Sequence, residues 1–524
     1  MYQKRVMYWL RISKHYGLGV VFIFVFLLPS TGMTGTSCPA PIQLGPTEAA
    51  SIYVDTTHDL RAVSPTFFGF NLDLIAFQSD FWDKNHQRTR ADLIEWLRAF
   101  PQAVYRYPGG TPANYFDWSG SVGPRNKRSP QKLVSYRDAQ AVDFGFDEYM
   151  AFVKDAGGTP WLIVNLQGEF GRDSAAEKLS ISAAQWAAYA SGKFSTLPVL
   201  RWELGNELYI DKWSPQKYGE KSLKTIAAMS KSLGKGQFVA MLEDYRKDPY
   251  YPGLSLTQYN TMVAKILGQE VSEFALHEYY DSVGTVFIDS VQHRLNYVCQ
   301  TIADIKKAKP TEDVGLWITE TARWPRNEAG QNWNTGWWRT STLEAGISVA
   351  DMLIGTVQIP EVNGAFVHAL ASNTGPWVMF HTNKENQLYP SIIYLTLRLL
   401  REHLQEYVLP TKTNSPNISG YGGGYDIRAV ALSNKLRTKF ALWTINRSNV
   451  NQIVNLVMGE YRGKLLKGTQ TYLSDMDINA TNRDKKDRVL PVTKPIEIRL
   501  DSHGKGTIEL LQNSVGVLDF SFAR

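Results

Sequence analysis

The sequence predicts an α/β chain in which a closed (β/α)8 (TIM) barrel is followed by an antiparallel β-sandwich. Three observations predict it. From Pro65 to about Leu404, short apolar runs alternate with helical patterns, the rhythm of repeated βα units. Eight of those runs end near Asp73, Arg106, Gln167, Gly205, Glu243, Tyr280, Glu320 and Ala371, the count a closed barrel of this kind requires. After residue 405 the helical period stops, and strand-like runs separated by polar, turn-rich segments take over.

Taken in order, residues 1–37 open with Lys4, Arg5, Arg11 and Lys14, then an apolar run from Gly17 to Leu28, Pro29, Ser30 and small residues up to Ser37. Basic start, short apolar stretch and small-residue exit predict a secretory signal, and hence an exported protein (secreted, periplasmic or cell-surface). The run is shorter than the about 20 residues of a membrane span. The alternative is an uncleaved anchor, with membrane attachment through the N-terminus only. Residues 38–64 form a linker containing the strand-like Ser51–Val54, expected to join the sandwich.

The barrel is expected over 65–404. Phe146, Tyr149, Met150 and Val153 follow the i, i+3, i+4, i+7 spacing of one helix face, and Gly157-Gly158 stops that helix. Trp161 to Val164 is apolar throughout, as a strand covered on both faces should be. The stretch from Ile392 to Leu404 carries a similar helical stripe. The sandwich is expected over 405–524, with strands at Phe440–Ile445, Ile453–Val457, Ile496–Leu500 and Thr507–Leu511. At 524 residues, two folded units are expected.

Four of the six net positive charges lie in residues 1–37, which hold no acid, so residues 38–524 carry only +2. That balance predicts no nucleic-acid partner. The 15 Trp and 26 Tyr suit a carbohydrate cleft, because the C–H faces of sugars pack on flat rings. Nine histidines without HExxH spacing, and no cysteine cluster, predict neither metal nor cofactor. Cys38, at the expected processing point, and Cys299 are the only cysteines, so no structural disulfide framework is expected.

The chemistry is expected at two glutamates. Arg201-Trp-Glu-Leu-Gly-Asn-Glu207 and Leu316-Trp-Ile-Thr-Glu320 each end an apolar strand on a carboxyl, at strands four and seven. Cleavage of a glycosidic bond needs one carboxyl holding a proton for the leaving oxygen and another ionised to attack the anomeric carbon. Glu207 is the expected acid/base and Glu320 the expected nucleophile, with Glu203 as a lower-ranked rival acid. Asn206 is expected on the sugar 2-hydroxyl. His277 or Tyr279, at the end of strand six, is expected to donate to Glu320. Arg106, before Pro108-Gly109-Gly110, is expected to hold a carboxylate or a sugar hydroxyl, and Asp73 to bind sugar hydroxyls. Trp324, Trp333, Trp337 and Trp338 crowd the segment after Glu320, where either stacking on a sugar or an aromatic plug under the loop fits.

At Tyr105-Arg-Tyr-Pro-Gly-Gly110 through Trp118, Phe144-Gly-Phe-Asp-Glu-Tyr149 through Asn165, Trp202-Glu-Leu-Gly-Asn-Glu207 and Leu276-His-Glu-Tyr-Tyr280, the chain resembles the retaining glycoside hydrolases of the large (β/α)8 clan. α-L-Arabinofuranosidases are nearest, and heparanase-like and β-glucuronidase enzymes come next. The resemblance spans about residues 65–372. It implies acid/base at Glu207, nucleophile at Glu320, 2-hydroxyl contact at Asn206 and a residue beside the nucleophile at His277 or Tyr279; Asn165 falls within it as a substrate-binding position. Arabinofuranosidases place Glu where Asp73 stands and Asn where Thr111 stands, and Thr319-Glu-Thr321 is closer to the heparanase-like pattern. The implied function is an exported retaining glycosidase acting on a poly- or oligosaccharide. The other readings are a non-catalytic carbohydrate-binding protein on the same barrel and a transglycosylase.

Overall fold

The computed structural model describes residues 38–45, 47–58, 60–233, 237–244, 249–281, 290–325, 331–373, 375–416 and 425–521. The expected signal or anchor, residues 1–37, lies outside them. Among the described residues no helix is long and apolar enough to cross a membrane.

Eight parallel strands close a barrel: β1 (Phe68–Asn71), β2 (Val104–Tyr107), β3 (Thr159–Val164), β4 (Arg201–Leu204), β5 (Phe238–Met241), β6 (Glu273–Tyr280), β7 (Gly315–Arg323) and β8 (Val362–His368). Closure comes from β8 pairing with β1, Ala365 opposite Phe68 and His368 opposite Asn71. In β3, Trp161, Leu162, Ile163 and Val164 are all buried, as a strand between barrel interior and outer helices must be. The helix Phe146–Ala156 buries Phe146, Tyr149, Met150 and Val153 and ends at Gly157, whose φ of 67° is the left-handed cap conformation.

The sandwich has a five-stranded and a seven-stranded sheet. Ser51–Val54 sits in the smaller one, antiparallel to Thr411–Ser415 and parallel to Gln452–Val457. Ile42–Gln43 also runs parallel to its neighbour, so this sheet is mixed rather than purely antiparallel. The strand Lys439–Asn446 is apolar almost throughout because both of its faces are covered. Phe440 and Leu442 join the core between the two sheets, while Ala441, Trp443 and Ile445 join the barrel's core. One hydrophobic core therefore runs from the barrel into one face of the sandwich. Barrel and sandwich each keep a core of their own, and both lie within one compact unit, Thr36–Arg524.

The helix Leu343–Thr356, which follows β7, lies between barrel and sandwich and is buried all round. Its mostly apolar sequence, broken within residues 347–354 only by the buried Ser348 and Asp351, is what such a position demands.

The cysteine expectation is corrected. Cys38 and Cys299 form a disulfide, with Cα atoms 5.8 Å apart at a sequence separation of 261. A single bridge over that separation leaves no local spacing signal. It pins the start of the described chain to the helix Val291–Ala308.

Candidate active site

Glu320 is the centre of the site. It lies on β7 with its side chain almost fully buried. Arg106 Nη1, from the end of β2, donates to its Oε1 at 2.7 Å, and the Tyr279 hydroxyl, from β6, donates to its Oε2 at 2.6 Å. Two imidazoles flank the same oxygen, with His277 Nδ1 at 3.6 Å and His368 Nδ1 at 3.7 Å. Burial works to raise the Glu320 pKa. His277, His368, Arg106 and the Tyr279 hydrogen bond outweigh it and hold the carboxyl well below the usual carboxylate range. Glu320 is thereby kept ionised in a place where an unaided carboxylate would take up a proton.

Glu207 sits past the end of β4, in the turn Gly205-Asn206-Glu207. Its φ of 48° is left-handed for a residue that is not glycine, a conformation that clusters at functional sites. Its side chain keeps 20% of its surface exposed, against 4% for Glu320. The more accessible carboxyl is therefore the one that could exchange protons with solvent. His277 Nδ1 lies 2.7 Å from Glu207 Oε1. Burial pulls the His277 pKa down, but Glu320 and Glu207 prevail and raise it. Ligating atoms of Glu207, His277 and Glu320 lie within 4.8 Å of one another. That spacing would also suit a cation, but the fixed charge of Arg106 against Glu320 disfavours one.

Arg106 is wholly buried and all five of its N–H groups are engaged. Nε and Nη2 grip Glu203 at 2.7 and 2.9 Å, Nη1 also reaches Asn71, and Nη2 also reaches Asn206 Oδ1 at 2.8 Å. Of the two partners expected for it, carboxylates are what it holds. No donor remains for a sugar hydroxyl. Glu203, the rival acid, has no solvent access; besides Arg106 it accepts from Trp161 Nε1 at 2.7 Å and Thr319 Oγ1 at 3.2 Å.

Asn206 is held from three sides. Its backbone exchanges two hydrogen bonds with the Asn114 amide, at 2.9 and 2.6 Å, while Arg106 takes its Oδ1. Its Nδ2 has no partner among the described residues and is the donor left over for a ligand. Asn165 behaves otherwise. Its Oδ1 accepts from Gln167 N and Gly168 N, and its Nδ2 donates to Gly168 O and Phe116 O. It clamps two loops together and leaves nothing for a sugar, which corrects its expected role as a substrate contact. Asp73 is half-buried beside the site and its Oδ1 caps the helix Leu74–Asp80 through Ile75 N and Ala76 N.

Trp324 is 40% exposed. Its ring meets Tyr279 edge-on at 5.1 Å and Trp377 at 5.6 Å, and Trp377 packs on His368 at 4.7 Å. These rings wall one side of Glu320. Trp337 and Trp338 are half-buried in the 3-10 stretch Trp333–Ser341. The His277 expectation shifts too: its nearer partner is Glu207, and Tyr279 is the residue that donates to Glu320.

Sequence reasoning missed Asn71, His368, Asn114 and Trp377. Asn71 and His368 end β1 and β8 and bond to each other, Nδ2 to Nδ1, at 2.6 Å. A polar residue closing an apolar run was the available signal.

Residues 96–284, from the helix before β2 to just past β6, match the family described as the alpha-L-arabinofuranosidase 1 domain. The chain resembles the α-L-arabinofuranosidases. An intracellular exo-alpha-(1->5)-L-arabinofuranosidase of Streptomyces lividans is 26% identical over 262 residues, covering 44% of this chain and 37% of that protein. Alpha-L-arabinofuranosidase C of Emericella nidulans is 25% identical over 158 residues, covering 27% of this chain and 30% of that protein. The alignments thus span about a third of these relatives' length. An alpha-L-arabinofuranosidase from Thermotoga maritima, solved in complex with arabinose, shares the fold with a TM-score of 0.72 at 17% identity, over 90% of this chain and all of that one. The arabinofuranosidase-like stretch carries Arg106, Asn206, Glu207 and His277; Glu320 lies beyond it, joined to them by β7.

Proposed function

We propose that this chain is an exported, retaining O-glycoside hydrolase that cleaves α-L-arabinofuranosides of a poly- or oligosaccharide by double displacement. The observation that carries the reading is the approach of Glu207 and Glu320, with carboxylate oxygens within 4.8 Å of each other. Retention needs carboxyls about 5–5.5 Å apart, whereas inversion needs about 6.5–9.5 Å to admit a water.

In the first step the ionised Glu320 attacks the anomeric carbon. The bond to the leaving oxygen breaks, and Glu207 gives that oxygen its proton. In the second, Glu207 takes a proton from water as the water attacks the same carbon, and the bond to Glu320 breaks. Asn206 Nδ2 is the donor for the 2-hydroxyl, a contact that strengthens in an oxocarbenium-like transition state. The exposed Trp324 face offers a stacking surface. The relatives' names supply the arabinofuranoside. Export is supported by the Cys38–Cys299 bond, which persists in oxidising compartments.

The test is hydrolysis of an aryl α-L-arabinofuranoside by the full chain, with the first-formed anomer followed by NMR. Turnover with retention is expected, lowered about 10²–10⁴-fold by Glu207→Ala and abolished by Glu320→Gln. Inversion, or activity indifferent to both changes, would overturn the reading.

A further inference from the structure

The candidate site is tied to the sandwich through a buried, charge-balanced cluster that the mechanism above does not use. Asp281 directly follows β6, two residues after Tyr279, and holds a left-handed φ of 55°. Its Oδ2 accepts from Ser348 Oγ at 2.5 Å and from Arg447 Nη1 at 3.2 Å. Arg447 follows the sandwich strand Lys439–Asn446. Its Nη2 and Nε donate to Asp351 Oδ2, at 2.8 and 3.2 Å. Asp351 and Ser348 lie on the all-buried helix Leu343–Thr356. The other Asp351 oxygen takes Arg428 Nε from a second sandwich strand, Ile427–Ser433. Arg428 also donates to Gln292 Oε1 and to the Pro39 carbonyl, each at 2.6 Å.

Two arginines from the sandwich therefore neutralise two aspartates from the barrel, all four nearly removed from water. A cluster of this kind fixes direction, because every charge must stay on its partner. It is placed where direction matters. β6 is the strand that sends Tyr279 to Glu320 and His277 to Glu207, and Asp281 is the first residue beyond it.

We propose that Arg447 is a positioning residue for the reaction. Reaching from the sandwich, it holds Asp281 and so fixes the end of β6 at the angle that brings the Tyr279 hydroxyl onto Glu320. The sandwich is then a working part of the active site rather than an appended module. This rests on the glycosidase reading.

The test is a double-mutant comparison on the full chain with the aryl glycoside. Arg447→Met, and separately Asp281→Asn, are made in the wild type and in a Tyr279→Phe background, each checked for a native circular-dichroism spectrum. Asp281→Asn keeps an acceptor for Ser348 and serves as the milder variant should Arg447→Met not fold. In the wild-type background either change is expected to lower kcat/KM on the order of ten-fold and to move its acid limb to higher pH, as Glu320 loses its donor. In the Tyr279→Phe background both effects are expected to vanish, because the group being positioned is gone. Equal losses in the two backgrounds, or an unmoved acid limb, overturn the proposal. A wild type without activity, or activity that survives Glu320→Gln, instead overturns the glycosidase reading itself.

Discussion

Arg106 and Glu203 meet as a two-bond fork inside the barrel, Nε to Oε2 at 2.7 Å and Nη2 to Oε1 at 2.9 Å, both with no exposed side-chain surface. Burial opposes the charge on Arg106, but Glu203 and Glu320 together raise its pKa above the ordinary value. The fork keeps the guanidinium in one orientation, and that orientation delivers its remaining donors to Glu320, Asn71 and Asn206. Glu203 is in this sense the support on which Glu320 is set.

Replacing Glu203 by Gln leaves a buried cation without half of its compensation. Losses of about 3–5 kcal/mol are usual when one partner of a buried pair is removed. Urea unfolding of Glu203→Gln should therefore show a markedly lower midpoint, with activity falling as well because Arg106 is freed to reorient. An unchanged midpoint would remove Glu203 from this role.

Tyr279→Phe takes one donor from Glu320 and nothing else from its charge. A hydrogen bond to the ionised form lowers a carboxyl's pKa, so its loss raises it. The acid limb of the pH profile of kcat/KM should shift upward while the fold is retained. A profile that keeps its acid limb would mean that Arg106 and the two histidines suffice.

Cys38–Cys299 closes most of the described barrel into one covalent loop. Cys299→Ser should cost about 2–5 kcal/mol, as removal of a native disulfide usually does. Thermal unfolding with and without reductant checks this. The wild type should lose stability on reduction, and the variant should be indifferent to it.

Glu278, between His277 and Tyr279, faces outward into the barrel wall and is fully buried. Burial raises its pKa from 4.5 to about 8, with Arg294, 3.6 Å away, pulling the other way. The folded state therefore holds a proton that the unfolded chain releases. Its contribution to stability is complete below pH 4.5 and declines as pH rises towards about 8. Glu278→Gln should flatten that decline and be the more stable form at pH 8, on the order of 1–3 kcal/mol. Denaturation midpoints at pH 5 and pH 8 for both proteins decide it.

The helix Phe146–Ala156 and strand β3 were legible because each declares itself within a dozen residues: one apolar face and a glycine stop, or an unbroken apolar run. Glu207 and Glu320 stand out in the sequence for the same reason, as acids near the ends of apolar runs; the structure puts Glu207 in the turn past β4 and Glu320 inside β7, short of its end at Arg323. Asn165 misled because an asparagine after a strand looks the same whether it points at a pocket or folds back on its own loop. The disulfide was illegible because its halves stand 261 residues apart.

By itself the sequence determined the barrel and its eight strands, and it singled out two carboxyls near strand ends, since hydrophobic period is a property of short segments. Only the tertiary structure decided that Arg106 grips Glu203 and Glu320, 97 and 214 residues away, that His277 turns to Glu207, and that Arg447 braces β6. A charged or polar side chain takes its role from the partner it meets once water is excluded, and those partners come from distant parts of the chain.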